Sequence, residues 1–449
     1  MSYKPKYKNV YFTGVAGTGM SGLAQFHVMC GGLATGSDRA IDRGTARDIA
    51  EKLTSAGVKI VPQDGIGLTK KFDLIVVSTA IEDGVPEVQK AKELGIPLIH
   101  RSEYLAEITR EYRTISVAGT SGKSTVAAMV FDILDCAGVS PSILTGANLV
   151  SLEKKSLLGN CFIGTSEWLV IEADESDGSL VRYSSEIGVL LNLDRDHKEP
   201  EEVKEYFSAF KSNSSLCILN GDKEGLADLR EGATLFHTKE ATDIVLEPDS
   251  SSFHYKDVEF DLPIPGLHNI ENGVAATAVC AHVGVKPELC STALKDFKGV
   301  TRRFQRVGAK RNIRVIDDFA HNPVKVAAAI KAAKLAGGRV LAFFQPHGFG
   351  PTRFMKDELI ESFTDALNEE DILFITEIYY AGGTTTKDIS SKEIADGIVE
   401  RGREARFTST RVDIIAEIIS TAKEGDTILV MGARDPSLHK FATDILESL

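Results

Sequence analysis

The run Val117-Ala-Gly-Thr-Ser-Gly-Lys-Ser-Thr125 sets glycines, a lysine and hydroxyls between an apolar strand and the helix-prone stretch Val126 to Ile133. In that context the glycines let backbone N–H groups converge on phosphate oxygens at a helix N-terminus. Lys123 adds a point charge for the β and γ phosphates, and Ser124 offers a hydroxyl to Mg²⁺. Gly119, Thr120, Ser121, Gly122, Lys123, Ser124 and Thr125 therefore read as an ATP cradle, although Val117 stands where the full G-x-x-x-x-G-K-[ST] pattern has its first glycine. Downstream, the apolar run Trp168 to Ile171 delivers Glu172-Ala-Asp-Glu-Ser-Asp177, and a second run, Gly188 to Leu193, leads into Asn192-Leu-Asp-Arg-Asp-His197. Both fall at the C-terminal ends of expected parallel strands, where α/β proteins bind ligands. Glu172 and His197 can share a Mg²⁺ with the phosphates, because that ion takes one or two protein ligands and completes its shell with substrate oxygens. The blander reading, an acidic loop as a solvated turn, remains open for each cluster taken alone.

A second glycine-rich turn, Gly14-Val-Ala-Gly-Thr-Gly-Met-Ser21, precedes the strand end Gly36-Ser-Asp38. It has the form of a dinucleotide fingerprint with Ala16 at the middle glycine, and would put a phosphate on a helix N-terminus and Asp38 on a ribose hydroxyl. A tight turn with close helix packing explains the same glycines.

The elements that must position these groups are short β-branched runs alternating with helical stretches from end to end, the rhythm of an α/β chain with mainly parallel sheets. At 449 residues with 43% hydrophobic content the chain can build several cores,. Breaks near Ile108 and Gly299 divide it into expected domains 1–108, 109–299 and 300–449, and residues 222–262 read as short irregular strands decorating the middle one. A net charge of −13 leaves no global basic field for nucleic acid or anionic lipid,. Six cysteines without a CxxC pair fit a reduced, cytoplasmic setting rather than a disulfide or zinc framework,. No apolar run reaches the roughly 18 residues of a membrane span, and no export signal is seen.

Taken in order, GVAGTGMS, AGTSGKST, EADESD and NLDRDH are similar to the motifs of the Mur ligase family. So are Gly266-Leu-His-Asn-Ile-Glu-Asn272, Thr301-Arg-Arg-Phe304 and Asp317-Asp-Phe-Ala-His-Asn-Pro323. The resemblance covers nearly the whole chain. It implies three domains: a Rossmann-like UDP-binding domain, a central P-loop ATPase domain with a parallel sheet, and a Rossmann-like C-terminal domain for the amino substrate. The implied reaction is ATP-dependent ligation of a carboxylate to an amine through an acyl phosphate and a tetrahedral intermediate. By position, Gly17, Thr18, Gly19, Met20, Ser21, Asp38, Ser78 and Thr79 would hold the UDP-sugar, and Lys123, Ser124, Glu172 and His197 would hold ATP and Mg²⁺. Asn269 and Asn272 would face adenine, Arg303 and Asp318 would reach the γ-phosphate and ribose, and His321 would sit beside the amine. Lys211, on the helix after Asp196-His197, falls at the distance where other members carry a carbamylated lysine; a solvated lysine is the plain alternative.

The wording of several motifs is closest to the branch that adds L-alanine to UDP-N-acetylmuramate. Where that branch carries arginines for the amino-acid carboxylate, this chain reads Gly348-Phe-Gly-Pro-Thr-Arg353, so Gly348 and Pro351 replace cations and Arg353 alone remains. Gln63-Asp64-Gly65 replaces a Gly-His loop, and Gly432-Ala-Arg-Asp-Pro-Ser437 replaces a glycine-rich one. A tripeptide-recycling ligase is the runner-up, since Asp317 to His321 matches its wording better. A nicotinamide-dependent oxidoreductase would leave the second phosphate loop unexplained, and a silent scaffold would leave Lys123, Glu172 and His197 unexplained.

Overall fold

The computed structural model describes residues 4–78, 84–155, 157–194, 199–380 and 386–449. Contacts gather the chain into two units, Met1–Thr242 with Phe253–Asp261 and Glu271–Val300, and Asp243–Ser252 with Leu262–Ile270 and Thr301–Leu449.

The first unit holds two sheets. Strands β1 (Asn9–Thr13), β2 (Leu33–Ser37), β3 (Lys59–Ile60), β4 (Leu74–Val77) and β5 (Leu98–His100) form a parallel sheet in the order β3-β2-β1-β4-β5. The order reverses between β1 and β4, which opens a crevice at their C-terminal ends. The second sheet comprises β6 (Arg113–Ala118), β7 (Ser142–Leu144), β8 (Cys161–Phe162), β9 (Trp168–Glu172), β10 (Ser185–Leu190), β11 (Ser214–Asn220) and β12 (Thr234–Phe236), in the order β12-β11-β10-β6-β9-β7-β8. Its strands are parallel except the edge pair β7–β8. A continuous apolar strand such as β9 is what a sheet covered on both faces requires, and both β9 and its neighbour β6 are buried along nearly their whole length,. Helices supply the cover: Lys123–Cys136 follows β6, and Pro86–Leu94 opens on a proline at its first turn and stops at left-handed Gly95,.

The two sheets are tied by side chains. Asn160 Nδ2 donates to Ser21 Oγ (2.8 Å) and to the Thr18 carbonyl (2.7 Å), while its Oδ1 accepts from Gln25 Nε2 (3.0 Å). Arg101 pairs with Asp177 (3.2 Å), and Arg182 with Glu103 (3.0 Å). The expected irregular stretch contains β12 and three more short strands, β13 (Thr242–Leu246), β14 (Ser251–Tyr255) and β15 (Val258–Leu262). Part of it, Asp243–Ser252, groups with the second unit.

In the second unit, β16 (Gln305–Lys310), β17 (Ile313–Asp318), β18 (Val340–Gln345), β19 (Ile372–Ile375), β20 (Glu404–Phe407) and β21 (Thr427–Gly432) form a sheet ordered β16-β17-β21-β18-β19-β20. Only β16 runs antiparallel. Two apolar clusters centred on residues such as Phe344 and Phe363, and Phe343 and Phe441, hold helices against the sheet. Among the described residues no helix is long and apolar enough to cross a membrane.

Candidate functional site

The β6 strand ends at Ala118 and turns through Gly119 (φ +144°) and Gly122 (φ +85°) into the helix Lys123–Cys136. A Cβ on Gly122 would sit 2.5 Å from Asn272 Oδ1, so this position needs glycine both for its backbone and for the approach of Asn272,. The loop is clamped by Asn192. Its Oδ1 accepts from Thr120 Oγ1 (2.9 Å) and from the Ser121 amide (2.8 Å), and its Nδ2 donates to the Ser121 carbonyl (3.1 Å). The Asp194 amide donates to Thr120 Oγ1 (2.9 Å). Ser121 Oγ is a buried hydroxyl with no hydrogen-bond partner among the described residues. A buried hydroxyl normally has one, and a phosphate oxygen in the cradle would supply it.

Lys123 is nearly buried. Its ammonium donates to Glu175 Oε2 (2.6 Å) and to the Gly119 carbonyl (2.8 Å), with Asp174 Oδ1 at 3.6 Å. Burial works to lower the Lys123 pKa, but Glu175, Asp174 and Glu172 outweigh it and hold the ammonium firmly protonated. The two carboxylates divide the lysine between them unequally. Burial acts to raise Asp174, yet Lys123 and bonds from Ser176 bring it down to about 2, whereas Glu175 is pushed up by burial and by Asp174 beside it. Asp174 is therefore the more firmly ionised partner.

Glu172, at the end of β9, is held by three donors: Ser124 Oγ on Oε1 (2.9 Å), and Thr145 Oγ1 (3.1 Å) and the Gly146 amide (3.0 Å) on Oε2. A hydroxyl and a carboxylate are thus joined beside the phosphate loop, a hard oxygen pair suited to Mg²⁺. His197 lies outside the described residues, as does Thr79. Lys211 occupies the last turn of the helix Pro200–Ser212, where its ammonium donates to the Glu231 carbonyl. Among the described residues that bond turns Lys211 toward Glu231 rather than toward Glu172 or Ser124.

At the first sheet, Gly17 caps the helix Thr18–Met29, which brings Thr18, Gly19, Met20 and Ser21 into its first turn. Met20 and Ser21 are buried there, and Ser21 Oγ is engaged with Asn160 and the Thr18 carbonyl. Asp38 accepts from the Ala16 amide (3.0 Å) and the Ala40 amide (2.7 Å), so its carboxylate shapes the glycine turn itself. Ser78 follows β4, half-buried.

The second unit collects the remaining candidates at the C-terminal edge of its sheet, apart from Asn272, which belongs to the first. Asp318, at the end of β17, accepts from the Phe304 and Ala320 amides (2.6 Å each). Burial raises its pKa, against the pull of the Arg303 guanidinium, which lies 4.6 Å over the Phe319 ring. His321 Nδ1 lies 2.9 Å from the Phe319 carbonyl and so carries the proton there; the His321 ring stands 5.3 Å from that of His347. Asn269 donates to the Pro265 carbonyl (2.7 Å). Arg353, the one cation left in its segment, is paired with Asp388 and donates to the Thr386 carbonyl.

Sequence reasoning missed three parts of this arrangement: the clamp by Asn192, the pairing of Lys123 with Glu175, and the Thr145-Gly146 cradle under Glu172. The first two lie inside motifs already singled out. The third had no signal, because β7 meets β9 only in the folded sheet.

Three family models match the chain: the Mur ligase family catalytic domain over residues 9–113, the Mur ligase middle domain over 117–280, and the Mur ligase glutamate ligase domain over 302–434. UDP-N-acetylmuramate–L-alanine ligase of Geotalea daltonii is 35% identical over 453 residues, 95% of either chain. The same-named enzyme of Novosphingobium aromaticivorans is 33% identical over 475 residues, covering 98% of this chain and 96% of its own. Among solved structures, UDP-N-acetylmuramate-alanine ligase MurC of Thermotoga maritima superposes with a TM-score of 0.82 at 25% identity, covering 98% of this chain and 99% of its own. A murein peptide ligase from Psychrobacter arcticus, 23% identical with a TM-score of 0.71 and covering 98% of both chains, shares the fold.

Proposed function

This chain belongs to the Mur ligase family of ATP-dependent ligases, and from that premise we propose that it joins the lactyl carboxylate of UDP-N-acetylmuramate to the amine of L-alanine, using Mg²⁺. The observation that carries the reading is the assembly at the end of β6 and β9, where Lys123, Ser124 and Glu172 meet around a glycine loop with an orphaned hydroxyl. Full-length likeness to relatives bearing that activity in their names supports the choice of substrates over the tripeptide-recycling alternative.

In this reading the loop amides and Lys123 cradle the β and γ phosphates, and positioning with electrostatics carries most of the catalysis. Ser124 and Glu172, with His197, would hold Mg²⁺, which neutralises charge on the phosphates. The carboxylate attacks the γ-phosphorus and ADP leaves, giving an acyl phosphate. The alanine amine then adds to the acyl carbon, and the tetrahedral intermediate collapses with loss of inorganic phosphate. Asn272 and Asn269 would bound the adenine, Arg303 would neutralise the γ-phosphate, and Asp318 would address the ribose. His321, whose Nδ1 donates to the Phe319 carbonyl, would sit beside the alanine amine,. The glycine turn Gly17 to Ser21, with Asp38, Ser78 and Thr79, would receive the UDP.

Phosphate release from ATP and Mg²⁺ with UDP-N-acetylmuramate tests this, with L-alanine, glycine, L-serine and L-Ala-D-Glu-meso-diaminopimelate supplied singly. Turnover with L-alanine is expected. Turnover with the tripeptide alone would reassign the enzyme to recycling, and silence with all four would remove the substrate assignment.

A further inference from the structure

The loop that follows β21 deepens this reading and rests on it. In the sheet, Met431 is level with Asp318 on one side and Gly432 with Gln345 on the other. The loop Gly432–Ser437 therefore leaves the same edge as the segments carrying His321 and His347.

It is strapped from both sides. Arg302 donates to the Gly432 carbonyl (2.6 Å) and the Asp435 carbonyl (3.2 Å) while pairing with Asp317 (3.2 Å), and Asp317 is in turn held by His439 (2.9 Å). Arg411 pairs with Asp435, donates to Gln345 Oε1 and reaches Ser437 Oγ (2.7 Å). Between the straps, Arg434 is exposed and adopts φ +66°, a left-handed conformation that favours glycine. Backbone strain of this kind persists only where its surroundings fix it, and it concentrates at ligand sites.

A carboxylate brought into a desolvated site needs a cation, best a guanidinium that can bind both oxygens. The other arginines here are committed: Arg302 to Asp317 and two carbonyls, Arg411 to Asp435, Arg353 to Asp388, and Arg303 to the Phe319 ring and the charge of Asp318. The Arg434 guanidinium has no ion pair or hydrogen bond among the described residues. Lys387 is the rival cation, with its ammonium 4.7 Å over the Tyr380 ring. It offers a point charge rather than a fork, on a segment held by Arg353 at Thr386 and Asp388,. We infer that Arg434 binds the carboxylate of the amino-acid substrate, in place of the cations missing at Gly348 and Pro351.

The test compares R434G, R434K and K387M with the wild-type chain, using L-alanine and L-alaninamide as amines. R434G should raise the KM for L-alanine roughly ten- to hundredfold, the worth of a charge-assisted hydrogen bond pair, and leave the KM for ATP within twofold. R434K should fall between. L-Alaninamide has no carboxylate, so wild type and R434G should use it equally poorly. Glycine suits a φ of +66°, so R434G should unfold at the same temperature or higher, which separates a binding role from a structural one. An unchanged KM for L-alanine in R434G, a rise in the KM for ATP instead, or a loss seen only in K387M would each overturn the assignment. Should the wild-type chain release no phosphate with L-alanine, the proposed reaction and this assignment fall together; wild-type turnover with an unmoved KM in R434G removes the arginine alone.

Discussion

Replacing Asn192 with alanine removes the clamp on the phosphate loop while leaving every residue assigned to ATP or metal in place. Three hydrogen bonds disappear, from Thr120 Oγ1, from the Ser121 amide and to the Ser121 carbonyl. At about 0.5–1.5 kcal/mol each, the clamp contributes roughly 1.5–4.5 kcal/mol as an upper bound, because water refills part of the gap. The Asp194 amide still holds Thr120, so the loop loosens rather than collapses. If about half of that bound reaches nucleotide binding, about 1–2 kcal/mol, the KM for ATP rises roughly five- to thirtyfold. Titrating ATP in a phosphate-release assay reads this directly, with calorimetry on a non-hydrolysable ATP analogue as the binding control. N192D separates geometry from charge: it keeps both acceptor contacts but sets an anion beside the phosphates, so it should lose at least as much affinity with a smaller loss of stability. An N192A chain that is destabilised in urea yet retains the wild-type KM for ATP would refute the claim that this clamp pre-shapes the cradle.

E172Q puts an NH₂ where the carboxylate now accepts, and should raise the Mg²⁺ concentration for half-maximal turnover at least roughly tenfold; an unmoved Mg²⁺ curve takes Glu172 out of the metal site. G122A combines a φ of +85° with a Cβ placed 2.5 Å from Asn272 Oδ1. It should lower stability by about 1–3 kcal/mol and weaken ATP binding, and unchanged urea unfolding would contradict the strain argument. His27 is buried, accepting from the Tyr104 hydroxyl (2.7 Å), and burial lowers its pKa to about 4. Above pH 6.5 both folded and unfolded histidine are neutral; between 6.5 and 4 the unfolded chain takes the proton first, so this contribution, about 3 kcal/mol, is lost as pH falls. Urea midpoints at pH 7 and pH 4.5 should differ less in H27Q than in the wild type, and equal differences would sink the assignment.

Much of this architecture was legible because buried parallel strands must be apolar along their length. The runs expected at Trp168 to Ile171 and Gly188 to Leu193 appear as β9, one residue longer, and β10, set three residues earlier. The phosphate loop was legible for a related reason, since its glycines and lysine are contiguous and its geometry is local. What lay hidden was assembled across the sheets. Nothing in Thr145-Gly146 announces a cradle for Glu172, which depends on β7 lying next to β9. Asp38 reads as a ribose ligand from its spacing, and spacing does not reveal that one of its oxygens also accepts from the Ala16 amide of the glycine turn and the other from the Ala40 amide of the helix it caps. Arg353 looked like the surviving carboxylate cation from its position in the chain, and the fold pairs it with Asp388 instead.

The salt bridge between Lys123 and Glu175 makes nucleotide capture an exchange reaction. The lysine already has an anion, so a phosphate gains from it only the difference between itself and a buried carboxylate. A weakly charged ligand such as inorganic phosphate gains little from that swap, whereas a triphosphate arriving with its own divalent ion also offers the displaced carboxylate a cation. If the proposed nucleotide site is right, Glu175 acts as a threshold: the cradle would discriminate by total charge delivered as well as by shape, and the Lys123–Glu175 pair keeps it self-neutralised when empty.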